Sequence, residues 1–79
     1  MKTVEQQVIA IIARAGMIPP AQIRPAATLS DLGLSSLDHV ECVTAIEELF
    51  HVELTQDELW HLRTVQDVID AVKNTRAQR

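Results

Sequence analysis

A chain of 79 residues has room for one small domain, and a domain of that size buries roughly 60% of the surface its unfolded form exposes. At 47% apolar it is too hydrophobic for a disordered tail, and with Phe50 and Trp60 as its aromatics the core has to be aliphatic. A net charge of -4 argues against nucleic acid as a partner, which calls for clustered Lys and Arg, and favours basic patches on other proteins.

The first helix is expected from about Thr3 to Ala15. Val4, Val8, Ile11, Ile12 and Ala15 fall on one stripe at helical spacing, and Gly16 offers a C-terminal stop. The next stretch, Met17 to Ser35, holds Pro19, Pro20, Pro25 and Gly33 and cannot continue as a helix. So long a connection is tolerable if it packs on the core, and Ile18, Ile23, Leu29 and Leu32 are there to do so. A second helix is expected from Ser36 to Phe50. Its wheel places Cys42, Val43, Ile46, Leu49 and Phe50 on one face. Leu37, Glu41, Thr44 and Glu48 lie opposite, flanked by Asp38, Val40 and Glu47. Thr55 to Trp60 makes one short helix, with Thr55 and Glu58 as a capping pair and Trp60 packed on the bundle. The last helix opens near Thr64, with Asp67 as its cap partner, and runs to about Asn74 on a stripe of Val65, Val68, Ile69 and Val72. A polar tail, about 75–79, should fray. The sum is an all-α fold: a small antiparallel bundle of three main helices plus one short helix, with a long loop between the first two, all in one domain over 1–79.

The informative run is Asp31-Leu32-Gly33-Leu34-Ser35-Ser36-Leu37-Asp38-His39-Val40-Glu41. Ser35 and Asp38 stand at capping-box spacing, which makes Ser36 the first helical residue with its hydroxyl at the exposed N-terminal edge. Unpaired N–H groups and about half a positive charge at such an end suit a phosphodiester. On these grounds alone a serine before a helix is more often a cap than a modified residue. Similarly, an acidic helix face is more often merely solvated.

The order and spacing of Asp31-Leu32-Gly33, Ser36-Leu37-Asp38, Val40-Glu41, Glu47-Glu48-Leu49-Phe50 and Thr64-Val65-Gln66-Asp67-Val68 resemble the acyl carrier protein family over nearly the whole chain. The resemblance implies a 4′-phosphopantetheine arm on Ser36, installed by a phosphopantetheinyl transferase from coenzyme A. The arm's thiol then holds an acyl group as a thioester. It implies a carrier with no catalysis of its own, whose cargo is loaded and processed by partner enzymes of fatty-acid, polyketide or related biosynthesis. The helix opening at the serine is the family's docking surface, which here means Leu37, Asp38, Val40, Glu41, Thr44, Glu47 and Glu48.

Three departures stand out. Ser35 replaces the aspartate that usually precedes the modified serine. It keeps the cap but removes a charge at the transferase contact, and it leaves Ser35 as a second, weaker candidate for modification. Thr44 stands where a larger apolar residue is common. His39 falls on the wheel with Val43 and Ile46. It is either a helix-end histidine tilted to solvent or the mouth of a cargo pocket shared with those two, which would favour short or polar cargo. A specialised carrier of an amino acid or unusual acyl group is therefore the alternative. A helical protein-interaction domain without a prosthetic group is the alternative from another class.

The remaining signals are weak. His39 and Cys42 match no zinc spacing and no metal is expected. Cys42 reads as a small buried hydrophobe, and alone it forms no internal disulfide. The apolar start is broken by Glu5, Gln6 and Gln7, so neither signal peptide nor membrane insertion is expected. A cytoplasmic monomer is the resulting expectation.

Overall fold

A computed structural model describes residues 3–77. Helix α1 spans Val4–Gly16. A 3₁₀ turn at Pro20–Gln22 follows. Helix α2 spans Ser36–Phe50, α3 Gln56–Trp60 and α4 Val65–Ala77. Helices α1, α2 and α4 pack on one another as a small all-α bundle. Its centre is aliphatic, as the composition requires: Val8, Ile12, Ile46, Val65, Ile69 and Val72 are at most 1% exposed. Among the described residues no helix is long and apolar enough to cross a membrane.

Local chemistry sets the helix starts. Thr3 and Gln6 close a capping box on α1, with the Thr3 Oγ1 accepting from the Gln6 N–H and the Gln6 side chain accepting from the Thr3 N–H. At α3 the Thr55 Oγ1 accepts from the Glu58 N–H at 3.2 Å, and its own hydroxyl donates to the Glu58 carboxylate. Thr64 and Asp67 cap α4. The Asp67 Oδ2 accepts from the N–H groups of Thr64 and Arg63, and the Thr64 Oγ1 accepts from the Asp67 N–H. The Thr64 backbone hydrogen bond, the largest of these influences, holds the Asp67 carboxyl below its ordinary value against some loss of solvation.

The long loop is tied down in two ways. Ile23 and Leu29 are buried in the core, with Ile18, Leu32 and Leu34 half-buried against it. Its backbone also runs beside the start of α4. The Leu29 N–H donates to the Arg63 carbonyl, the Val65 N–H to Ala27 and the Gln66 N–H to Pro25, around an antiparallel bridge of Thr28 with Thr64. These bonds satisfy polar groups that burial would otherwise orphan.

Four expectations need correction. Gly16 is the last helical residue of α1, and the left-handed cap position falls on Met17 at φ 54°. Gly16 instead lies close under the loop: an added Cβ would come within 2.8 Å of the Leu34 Cδ2 and 2.9 Å of the Ile18 Cδ1, side-chain ends that would have to shift. The conformational glycine is Gly33, at φ 80° just before the serines. Leu49 is 48% exposed, because it sits at the edge of the α2 stripe where α1 covers it only in part. Trp60 is 77% exposed and does not pack on the bundle, whereas its neighbours Leu59 and Leu62 do. Helix α4 continues through Asn74 to Ala77, so residues 75–77 are helical; residues 78 and 79 lie outside the described residues.

Candidate functional site

The two serines do different things. The Ser35 Oγ accepts from the Asp38 N–H at 3.2 Å, and the Asp38 Oδ2 accepts from the Ser35 N–H at 3.0 Å, so the capping box is closed. Its closure uses two of the four amide donors that a helix N-terminus leaves without an intrahelical partner; those of Ser36 and Leu37 remain. Ser36 is the first residue of α2 and is exposed, with its side chain outside the box.

Two grooves meet at Ser36. One, of about 450 Å³, runs between α2 and α3 and is lined by Ser36, His39, Val40, Val43, Thr44, Glu47 and Leu59. The other, of about 360 Å³, lies on the far side of His39. Its floor is Leu29, Leu34 and Leu62, and its polar groups come from Thr28, Ser30, Ser35 and Arg63. His39 is half-buried and borders both grooves. Val43 lines the α2/α3 groove, whereas Ile46 does not. At 1% exposure Ile46 belongs to the core, because its place on the helix faces α1 and α4 directly.

The expected docking face is largely solvent-exposed. Leu37 and Val40 are 68% and 60% exposed, and Glu41, Thr44 and Glu48 are exposed around them. Asp38 is half-buried in the cap. Glu47 is also half-buried, and its Oε2 accepts from the Leu54 N–H at 3.0 Å, tying α2 to the segment before α3. Cys42 is buried, and its thiol is pushed up to about 11, first by burial and then by the Asp38 and Glu41 charges. That makes it a packing residue and a poor nucleophile. Among the described residues, no group of three or more His, Cys, Asp or Glu could hold a metal ion.

Leu59 and Arg63 are groove residues that the sequence reading missed. A signal for Arg63 was present, since it is the one Lys or Arg between Arg24 and Lys73. Leu59 had none, because a helix as short as α3 carries too little periodicity to show which side faces a neighbour.

The phosphopantetheine attachment site family matches residues 6–72. An acyl carrier protein of Thermosynechococcus vestitus is 41% identical over 70 residues, covering 87% of this chain and 86% of that protein. The chain belongs to the acyl carrier protein family. Two solved structures share the fold at 22% identity and a TM-score of 0.79. One is an acyl carrier protein from Thermotoga maritima, with 91% of this chain and 85% of that one covered. The other is the HMG-ACPI domain of the CurA module from Lyngbya majuscula, with 95% and 77% covered. An acyl carrier of this family bears a covalent 4′-phosphopantetheine, and the chain is such a carrier. The family is generally non-catalytic and works through a transferase and partner enzymes. Membership removes the interaction domain without a prosthetic group as a reading of this chain.

The residues present fit that group. An exposed serine hydroxyl stands at the N-terminus of a helix of 15 residues, beside two remaining amide donors, where two grooves begin. Anionic oxygens at such an end are stabilised by about 0.3–1 kcal/mol when exposed.

Proposed function

We propose that Ser36 is the attachment residue and that the chain carries a short or polar acyl group to enzymes docking on the exposed face of α2. The carrying observation is the division of labour between the serines: the Ser35 hydroxyl is committed to the Asp38 N–H, while Ser36 is exposed at the first helical position. Modifying Ser35 would sacrifice the cap, which contributes about 1 kcal/mol. Modifying Ser36 leaves the cap closed.

Once attached, the group supplies a terminal thiol that holds the cargo as a thioester. The chain's own residues hold the root of the arm at the end of α2 and offer it a groove. They also present Leu37 and Val40, ringed by Asp38, Glu41 and Glu48, to basic partners such as the transferase and the acyl-loading and acyl-processing enzymes. An apolar spot rimmed by acid suits weak, electrostatically steered docking. Thr44 adds a polar edge to that spot. A cytoplasmic monomer is part of this reading; the chain's one cysteine, Cys42, is a buried free thiol, as a reducing compartment allows.

The groove residues support the cargo class. His39, Thr44 and Glu47 alternate with Val40, Val43 and Leu59, so a long alkyl chain would have to desolvate polar side chains along its path. Fatty-acid or polyketide pathways with short or functionalised acyl groups fit this better than long-chain storage, and an aminoacyl cargo fits it equally.

Incubation with coenzyme A and a promiscuous transferase, followed by mass spectrometry, tests the site. A gain of one phosphopantetheine is expected in the parent and in Ser35→Ala, and none in Ser36→Ala. A gain retained in Ser36→Ala would move the site. For the cargo, His39→Leu should raise the melting temperature of long-chain acyl-protein relative to the parent. Equal melting temperatures would refute the role given to His39.

A further inference from the structure

The two grooves at Ser36 differ in charge. The groove between α2 and α3 is lined by one carboxylate, Glu47, and no Lys or Arg. The groove across His39 is lined by Arg63 and no carboxylate. Arg63 is the one Lys or Arg between Arg24 and Lys73, so the single cation of that long stretch sits in the groove where the candidate serine opens.

The Arg63 backbone is held from three sides. Its carbonyl accepts from the Leu29 N–H at 2.9 Å, and its N–H reaches the Asp67 Oδ2 at 3.1 Å and the His61 carbonyl at 3.1 Å. The side chain takes part in none of these bonds and is presented from a fixed base. Its guanidinium pulls on the Asp67 carboxyl of α4 only weakly, less than the Thr64 backbone bond does. Asp67 meanwhile accepts two backbone N–H bonds and is partly occupied.

We infer that Arg63 is a positioning residue for the arm: it pairs with the phosphodiester on Ser36 and sets the root of the arm over the Leu34–Leu62 groove. This rests on the assignment of the arm to Ser36. A phosphodiester is an anion at every physiological pH, and a guanidinium is a cation that presents forked donors to phosphate oxygens. Of the two grooves, the one with Arg63 attracts that anion, while Glu47 in the other lies eleven residues along α2 from Ser36, about 16 Å away, and offers it nothing to pair with. His39 stands on the ridge between them and borders both. The arm therefore begins its course over the loop side of the bundle and reaches the Val40–Leu59 groove by crossing His39. The pair is exposed, so the bias is modest, about 1.5- to 5-fold between the two sides.

The test uses isotope-labelled holo-protein whose added mass has been confirmed at Ser36. The gem-dimethyl group of the arm lies next to the phosphate, and its nuclear Overhauser contacts report the side it occupies. The reading is the ratio of contacts to Leu34 and Leu62 over contacts to Val40 and Leu59. In the parent at low salt the loop side should dominate. Arg63→Gln, which leaves every backbone bond above intact, should lower the ratio about 1.5- to 5-fold. Raising salt to about 1 M, where the screening length is about 3 Å, should do the same to the parent and nothing to the variant. Arg24→Gln, outside the groove, should leave the ratio unchanged. A ratio indifferent to Arg63→Gln, or lowered equally by Arg24→Gln, overturns the role of Arg63 and leaves the site reading standing. A missing mass gain at Ser36 overturns both.

Discussion

Glu47 is one of four carboxylates expected on a docking face, and its surroundings separate it from the exposed Glu41 and Glu48, as the cap does Asp38. Its Oε2 accepts the N–H of Leu54 at 3.0 Å, and Leu54 is 6% exposed. Glu47→Ala removes a charge-assisted hydrogen bond and strands a buried donor, a loss of about 1.5–3 kcal/mol. For 79 residues total stability is on the order of 4–12 kcal/mol, so the loss is a large share of it. At about 4–8 °C per kcal/mol for a domain of this size, a 2 kcal/mol loss lowers the melting temperature by about 8–16 °C. Glu47→Gln keeps an acceptor but not the charge and should cost about 1 kcal/mol. Glu48→Ala removes the same charge from an exposed neighbour and should stay within about 0.5 kcal/mol. Urea unfolding of the apo-protein measures all three. Equal losses for Glu47→Ala and Glu48→Ala would refute the structural role and return Glu47 to the docking face.

Three further outcomes are expected. Ser35→Ala should lower stability by about 1 kcal/mol in thermal melts while leaving attachment at Ser36 intact; a folded variant that takes up no arm would contradict the division between the serines. Met17→Gly should stabilise the protein by about 0.5–1 kcal/mol. The left-handed conformation at φ 54° costs a non-glycine residue about 1–2 kcal/mol, and the freer unfolded chain takes back about half; a destabilised variant in calorimetry would point to a packing role for this exposed side chain. For Cys42 the folded value is raised, so above pH 9 the unfolded thiol releases a proton that the folded one keeps until about 11. Stability should therefore fall as pH rises through that window and the fall should vanish in Cys42→Ala, and native apo-protein should show no fast-reacting thiol; rapid stoichiometric labelling would refute the burial.

Much of this fold is written locally. A cap needs one side-chain oxygen and one amide three residues on, so Ser35–Asp38, Thr55–Glu58 and Thr64–Asp67 could be read from spacing, and α2 begins and ends where the sequence placed it. The errors share a different cause: each depends on what lies across a gap. The wheel cannot show that α1 stops short of covering Leu49, or that Trp60 stays in solvent while Leu59 beside it packs on the core. Gly16 looks like a stop because glycines often are. What it meets is the ends of Leu34 and Ile18 coming in from the loop, which no spacing encodes.

The same distinction applies to the site. Ser36 as the first exposed residue of α2 follows from the cap next to it, and helix-end physics makes it a permitted place for an anion. Permission is common, since every capped helix grants it. What is particular to this chain is the contrast around the serine. The carboxylates Asp38, Glu41 and Glu48 lie along α2 itself, on the side proposed for docking, and one arginine delivered from the far end of the sequence lies in the groove across His39. The Thr28–Thr64 bridge brings that arginine in, because it lays the 25–29 segment beside residues 63–66. The long first loop thus has a second task besides covering the core: it fixes the cation's distance from the serine. A change that loosens that bridge should disturb the arm's starting direction before it unfolds the bundle.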